Sequence, residues 1–522
     1  MRLPFRTLRL LLLSCAILAM APVGAPAATP AGWPFDRLQL GMRDDEGGAA
    51  ALRRQTHLGL RYHYLSGGAN TGKGWIGWAK GGGSFVSGFI DDSAAHGFVP
   101  VFSLYQLRES APGNGMEEVA GVFANLGNRA TMAAYLQDAR RFFQRAGETG
   151  RTAVLHVEPD LWGYVQRRDS NGARVPVQVA TTGLAEARGL PNTAAGLAQA
   201  FVRLRDRYAP KVLLGYHLSV WGTGEDIAHS DPSDARIDEL AASAAGFYRS
   251  LGTRFDLVFA EQANRDSGYS EVRDGDGGQA RWEAADYARQ ARFLRGVSSA
   301  TARSIVLWQL PLGNAAQDNT PKHYRDSRVQ ALLGADGDAL RRAYAQAGVI
   351  AMLFGKALPE ATCACDDDGD GEDDDGGLFK RLADAVLAAG TPALTGGGTA
   401  RPPKGTPERT TAPGVLVKAT VVRRRVARGS TARVVVRLTS RQAARVVVAV
   451  QLYRPGGGNT PTYQLAFRGQ HLRAGVPRRY RVSYRVPASA RTGRWKVKVG
   501  LFDTDFQKLL VWRPNAAAFT VR

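Results

Sequence analysis

Cysteine is scarce in this chain of 522 residues. Three are present, and Cys15 lies in an apolar leader, so only Cys363 and Cys365 remain for the rest. A disulfide framework is thereby excluded as the source of stability, and the fold must rest on a buried core. Long apolar runs are missing as well. The leader run Leu10 to Ala21 falls short of the roughly 20 residues that span a bilayer, so no membrane span is expected. No glycine-rich phosphate turn follows the first strand candidate. It ends Leu40-Gly41-Met42-Arg43-Asp44 rather than G-x-G-x-x-G, which argues against a dinucleotide fold. The histidines match no zinc-ligand spacing. Acids, finally, are almost absent from the C-terminal stretch: Val415 to Arg522 hold 23 Lys and Arg against Asp503 and Asp505 alone.

The formal net charge of +21 is therefore the charge of that one stretch, because the preceding residues balance 45 basic against 45 acidic groups. A basic module of this kind seeks polyanions. Arg2, Arg6 and Arg9, the apolar run and Ala25-Pro26-Ala27, an A-x-A cleavage site, make residues 1–27 a secretion signal. The expected location is extracellular or periplasmic. The polyanions met there are acidic polysaccharide, teichoic acid or lipopolysaccharide, so an anionic polymer or cell surface is the expected partner and nucleic acid is not.

Beyond the signal, short apolar runs alternate with amphipathic helical patterns. The strand candidates are Leu38–Met42, Leu58–Tyr64, Val99–Leu104, Ala153–Val157, Val212–Leu218, Leu257–Ala260, Ile305–Leu310 and Val349–Phe354. Helical periodicity occupies Met132–Arg145, Thr193–Tyr208, Arg236–Leu251 and Arg281–Leu294. Alternating strands and helices mean a parallel sheet, and eight such units over residues 33–390 favour an α/β fold of the (β/α)8 TIM-like barrel type. Residues 391–413, rich in Gly, Pro and Thr, read as a linker. Residues 414–522 carry alternating Val-, Arg- and Tyr-rich runs broken by Gly and Pro, the pattern of a small all-β sandwich with an Ig-like layout.

In such a barrel the active site lies at the C-terminal ends of the strands. Strand four ends Glu158-Pro159-Asp160-Leu161-Trp162, two carboxylates and an indole at a rim. The other ends offer Asp44, then Arg61, Tyr62 and His63, then His217 and Trp221, then Glu261, Gln262 and Asn264, then Trp308 and Gln309. Acids paired with indoles suit sugar cleavage, in which one carboxyl protonates the leaving oxygen, a second acts as base or nucleophile, and an aromatic plate receives the ring. The expected catalytic set is Asp160 or Glu158 as acid with Glu261 as partner. The other rim residues are expected to line sugar subsites. No cofactor is required by this chemistry. A glycoside hydrolase acting on a polysaccharide is the leading expectation. A non-catalytic polysaccharide- or surface-binding protein on the same scaffold, or a polysaccharide lyase with a His or Tyr base, are the alternatives.

The run Val154 to Leu161 resembles a signature of glycoside hydrolase family 6, an apolar strand followed by Glu-Pro-Asp. The resemblance implies that Asp160 is the proton donor. It covers about eight residues; His156 departs from the pattern, and the family's Arg-Asp-Cys signature is absent. The segment Val486-Pro487-Ala488 with Gly493 to Asp503 resembles the terminal β-sandwich modules of secreted bacterial polysaccharidases. One further motif stands apart. Asp366, Asp368 and Asp370, with Gly371 after them, fall at positions 1, 3, 5 and 6 of a calcium loop, but the Glu expected at position 12 is replaced by Gly377. The segment reads either as a structural calcium site or as a solvated acidic loop, and Cys363 and Cys365 beside it either pair or stay free.

Overall fold

The computed structural model describes residues 27–262, 265–367, 369, 371–394, 415–455, 462–502 and 509–522. Residues 1–26, where the secretion signal is expected, most of the expected linker, and Asn264, Asp368 and Asp370 lie outside the described residues. Contact density divides the chain into two compact units, Met1–Gly398 and Thr399–Arg522. Among the described residues, no helix is long and apolar enough to cross a membrane.

The first unit is a closed barrel of eight parallel strands in sequential order. They are β1 (Gln39–Arg43), β2 (Leu60–Leu65), β3 (Val99–Leu104), β4 (Ala153–Val157), β5 (Val212–Leu218), β6 (Leu257–Ala260), β7 (Ser304–Leu310) and β8 (Val349–Phe354). Each expected strand is present to within two residues at either end. Helices α1 (Ala49–Gln55), α2 (Ser84–Ala95), α3 (Glu118–Leu126), α4 (Arg129–Thr149), α5 (Leu161–Arg168), α6 (Ala194–Tyr208) and α7 (Asp234–Ser250) follow the first five strands, and a further helix, Ala284–Thr301, connects β6 to β7.

The barrel has two cores because side chains alternate along each strand. Ala153, Leu155 and Val157 face the helices, where they join the large outer core. Leu60, Tyr62, Val101, Val154, Leu213, Phe259, Val306, Trp308 and Leu353 fill the interior. Space inside is tight. A Cβ on Gly215 of β5 would come within 2.4 Å of the Phe259 ring, so glycine there lets that ring lie across the barrel.

Alternation also fixes the fate of β2. Arg61 and His63 point outward, and Tyr62 and Tyr64 inward. Arg61 is fully buried beneath α2, where it pairs with Asp44 at 2.9 Å and Asp92 at 2.6 Å and lies 4.1 Å from the Phe89 ring centre. The guanidinium thus ties the end of β1 to α2.

The second unit is all-β. Its two sheets contain β9 (Val415–Val421), β10 (Arg425–Val426), β11 (Thr431–Ser440), β12 (Ala444–Tyr453), β13 (Tyr463–Leu472), β14 (Arg478–Arg485), β15 (Gly493–Phe502) and β16 (Leu509–Val521). One sheet has the order β10-β16-β15-β12-β13 and the other β14-β11-β9. Val434, Val436, Val448, Val450, Trp495, Val497 and Phe519 fill the space between them.

Removing Arg61 should expose what the outward face of β2 contributes. In Arg61→Leu, Asp44 and Asp92 lose their common partner in a largely buried setting, and the first unit should lose about 3 kcal/mol. Urea denaturation reads this directly, and an unchanged midpoint would refute the assigned role.

Candidate active site at the mouth of the barrel

The end of β4 departs from regular strand geometry at two residues. Glu158 has φ +48° and Asp160 φ +67°, left-handed values that side-chain-bearing residues adopt at a cost of about 1–3 kcal/mol each. The first reversal carries Glu158 away from the interior. Its Oε1 accepts the backbone N–H groups of Gln106 (3.1 Å) and Leu107 (3.2 Å), just beyond β3, and the side chain is 1% exposed. Gln106 in turn donates from Nε2 to Asp138 of α4 at 2.7 Å. The second reversal turns Asp160 into a cleft of about 1100 Å³ at the C-terminal mouth of the barrel. That volume exceeds the roughly 300–1,000 Å³ of a pocket for one drug-sized ligand. An extended ligand therefore fits.

Glu261, the residue after β6, enters the same cleft. Asp160, His217 and Glu261 each offer one ligating atom, and the three atoms lie within 4.8 Å of one another. Burial raises both carboxyls. Glu261 is pushed up to about 8 by burial, then by the charges of Asp160 and Asp226. Asp160 rises to about 6 through burial and the charge of Glu118, with Arg108 pulling the other way. Two acids this close share a proton, and the stronger upward push falls on Glu261.

Beneath the pair lies a hydrogen-bonded row of buried groups. Ser103 Oγ is 3.1 Å from His156 Nδ1, and His156 Nε2 is 2.9 Å from His217 Nδ1. The His156 ring stacks on Phe259 with centroids 4.2 Å apart. Burial lowers both imidazoles, His217 to about 3, so the row is neutral. Among the described residues, the remaining nitrogen of His217 has no partner. The three donor atoms would also admit a divalent cation, a grouping invisible in sequence spacing because each donor comes from a different strand.

The cleft collects Asp160, Glu261, Trp221, Gln262, Trp308 and Gln309 from the expected set. Gln309, at φ +56°, donates from Nε2 to the Tyr64 hydroxyl. Trp221 packs on Tyr164 with ring centroids 4.9 Å apart. Six expected residues lie elsewhere. Glu158 braces the β3 loop. Asp44 and Arg61 form the ion pair under α2. Tyr62 is core inside the barrel. His63 faces outward against Trp78, Phe85 and Phe89. Trp162 folds back from the first turn of α5, donates from Nε1 to the Val157 carbonyl at 3.1 Å and packs between Tyr216 and Phe255. Outward parity accounts for Asp44, Arg61 and His63, depth inside the barrel for Tyr62, the left-handed turn for Glu158, and the start of α5 for Trp162. Parity would have selected Tyr64, which lines the cleft. Trp282, Asp226 and Glu118, also in the lining, come from loops and a helix start that strand ends do not reveal.

In the acidic segment, Cys363 and Cys365 form a disulfide. Asp366 accepts the amides of Gly369 and Gly371, Asp373 pairs with Lys380 at 2.9 Å, and Asp375 accepts the amide of Phe379 at the start of the helix Leu378–Ala389.

No family model matches the sequence, and no curated protein matches it. Among solved structures, the chain is similar to a β-glucosidase from Listeria innocua in complex with glucose, at 13% identity over 61% of this chain and 41% of that one, with a TM-score of 0.17. It is similar to β-glucosidase 3B from Thermotoga neapolitana, at 11% identity over 55% and 39%, with a TM-score of 0.17. A CARDB domain of the PF1109 protein from Pyrococcus furiosus matches at 15% identity over 21% of this chain and 86% of that domain, with a TM-score of 0.16. The chain spans about two fifths of the β-glucosidases. Likenesses this distant carry no functional information.

Glu158 gives a test of the brace. Burial raises its carboxyl to about 8, against the pull of the two backbone donors. The protonated form is the one the fold favours, so its contribution is full below about pH 4.5 and is lost as pH rises through about 8. Glu158→Gln keeps the acceptor oxygen and removes this dependence. Wild type should lose stability relative to Glu158→Gln between about pH 4.5 and about pH 8. Parallel pH–stability curves for the two proteins would rule the brace out.

Proposed function

We propose that the chain is a glycoside hydrolase whose site is the mouth of the barrel, acting on a polysaccharide. The observation that carries this reading is the pair of half-buried carboxyls, Asp160 and Glu261, whose nearest oxygens lie within 4.8 Å and which face one cleft with three indoles. The spacing is shorter than the roughly 6.5–9.5 Å that leaves room for an attacking water, and so favours retention of configuration. Glu261 delivers its proton to the glycosidic oxygen. Asp160 attacks the anomeric carbon as that bond breaks, and a glycosyl ester forms. Glu261, now ionised, takes a proton from water, which attacks the same carbon and releases Asp160. The roles are the reverse of those implied by the Glu-Pro-Asp resemblance. Their support is electrostatic: Glu261 is raised further than Asp160, and Asp160 alone has a cation, Arg108, acting against the rise that burial and Glu118 cause.

Asp160→Ala and Glu261→Gln should each lower kcat by at least about 10³-fold on a cleavable glycan. Azide should restore turnover to Asp160→Ala and yield a glycosyl azide of inverted configuration. Rescue of Glu261→Ala with that product instead would exchange the two roles. The kcat/KM profile should be bell-shaped, with limbs near pH 6, where Asp160 gains a proton, and near pH 8, where Glu261 loses one. The absence of new reducing ends across a broad panel, with binding retained, would leave the non-catalytic reading.

Activity should survive exhaustive chelation. A strict metal requirement would instead favour a metal-dependent hydrolase in which Asp160, His217 and Glu261 are ligands.

The basic sandwich is proposed to bind an anionic polymer. Truncation after Gly398 should leave turnover of soluble oligosaccharide unchanged and abolish salt-sensitive retention on anionic polymer. Retention by the truncated chain would refute that role.

A further inference from the structure

The charges lining the cleft are unequal. Seven carboxylates and three arginines face it. Each arginine is already engaged: Arg108 pairs with Glu118 at 3.2 Å, Arg265 with Asp274 at 3.3 Å, and Arg328 with the buried Asp326. Three of the carboxylates outside the catalytic pair form no salt bridge among the described residues, although Glu109 feels the charge of Arg108 and Asp276 that of Arg281. Asp226 accepts the amide of Ala228 at 3.0 Å, Asp276 accepts those of Gly278 and Ala280 at 2.8 Å, and Glu109 accepts that of Gly67. Backbone amides orient these groups without neutralising them.

A second observation points the same way. Gln262 lines the cleft at 3% exposure. Its Nε2 donates to Gln290 Oε1 at 3.2 Å and to the Tyr344 hydroxyl at 2.9 Å, while that hydroxyl donates to Gln290 at 2.7 Å. The network fixes which end of the amide turns away. Among the described residues its Oε1 is left buried with no partner. A buried acceptor without a donor is costly, and a ligand donor would satisfy it.

Resting on the hydrolase reading, we propose that the cleft selects a glycan bearing protonated amino groups, of the de-N-acetylated hexosamine class, over neutral and uronic-acid glycans. An ammonium supplies several N–H donors and a positive charge to a lining in which carboxylates outnumber arginines. A uronate would place like charge against Asp226 and Asp276.

The test compares glucosamine oligosaccharides, their N-acetylated counterparts of the same linkage, and oligogalacturonate. Wild type should show kcat/KM at least about tenfold higher on the amine-bearing oligomer than on the acetylated one, the effect of about 1.4 kcal/mol. Raising NaCl from about 0.05 to about 0.5 M should shrink that ratio, and Asp226→Asn should lower it several-fold. Equal or better turnover of the acetylated oligomer, or cleavage of oligogalacturonate, overturns the proposal and leaves the hydrolase reading standing. Calorimetric titration of Glu261→Gln with the same oligomers separates the two. Salt-sensitive, amine-selective binding where wild type cleaves nothing keeps the selectivity and sinks the hydrolase. Binding without amine preference, or no binding, overturns the selectivity.

Discussion

Two left-handed residues at the end of β4 hold the site together. A regular strand would have sent Glu158 into the barrel and left the loop amides of Gln106 and Leu107 without an acceptor. Reversal at Glu158 gives those amides their partner, and reversal at Asp160 turns the next carboxyl into the cleft. Pro159 suits this segment, because it has no N–H to orphan and its φ is fixed. The strain is sustained only because both ends are tied: Glu158 to the β3 loop, and Asp160 to the start of α5 through its carbonyl, which accepts the Tyr164 amide at 3.1 Å. The loop that Glu158 grips leads straight to Arg108, the cation that tempers Asp160. One buried carboxyl thus sets both the position and the electrostatics of the other.

The rest of the site follows from crowding inside the barrel. Phe259, Trp308, His156 and His217 fill the mouth from below, so little water reaches the carboxyls from that side. Desolvation then acts on the two acids together, and their proximity disfavours ionising both at once near neutrality. The neutral histidine row supplies a polar floor without a compensating charge. A cation there would pull both acids down and leave neither able to hold a proton near neutrality.

The sequence made the barrel legible because each strand is a short apolar run bounded by a helix pattern, and buried parallel strands leave that trace. It revealed Asp160 and Glu261 because strand ends reach the mouth. It misplaced Glu158 because a left-handed turn between side-chain-bearing residues has no local signature. It misplaced Arg61, His63 and Trp162 for a different reason. Large polar and aromatic residues at a rim look like ligand contacts, yet parity sends the first two under α2 and the helix start folds the third back on the Val157 carbonyl. Trp282 and Asp226, from the loops after β6 and β5, were invisible because the residues that complete a barrel mouth arrive through tertiary contact alone.

The two units divide charge in opposite senses. The overall +21 is the charge of residues 415–522, whereas residues 28–390 hold 39 basic against 44 acidic groups and are acidic where they are concave. Net charge is therefore a poor guide to what the cleft receives. Low-dielectric walls strengthen the local field of Asp226, Asp276 and Glu109 within the cleft. A polyanion drawn to the sandwich would be repelled at the cleft. One and the same anionic polymer is thus a poor candidate for both anchor and substrate, and the chemistry of each unit has to be read from its own surface.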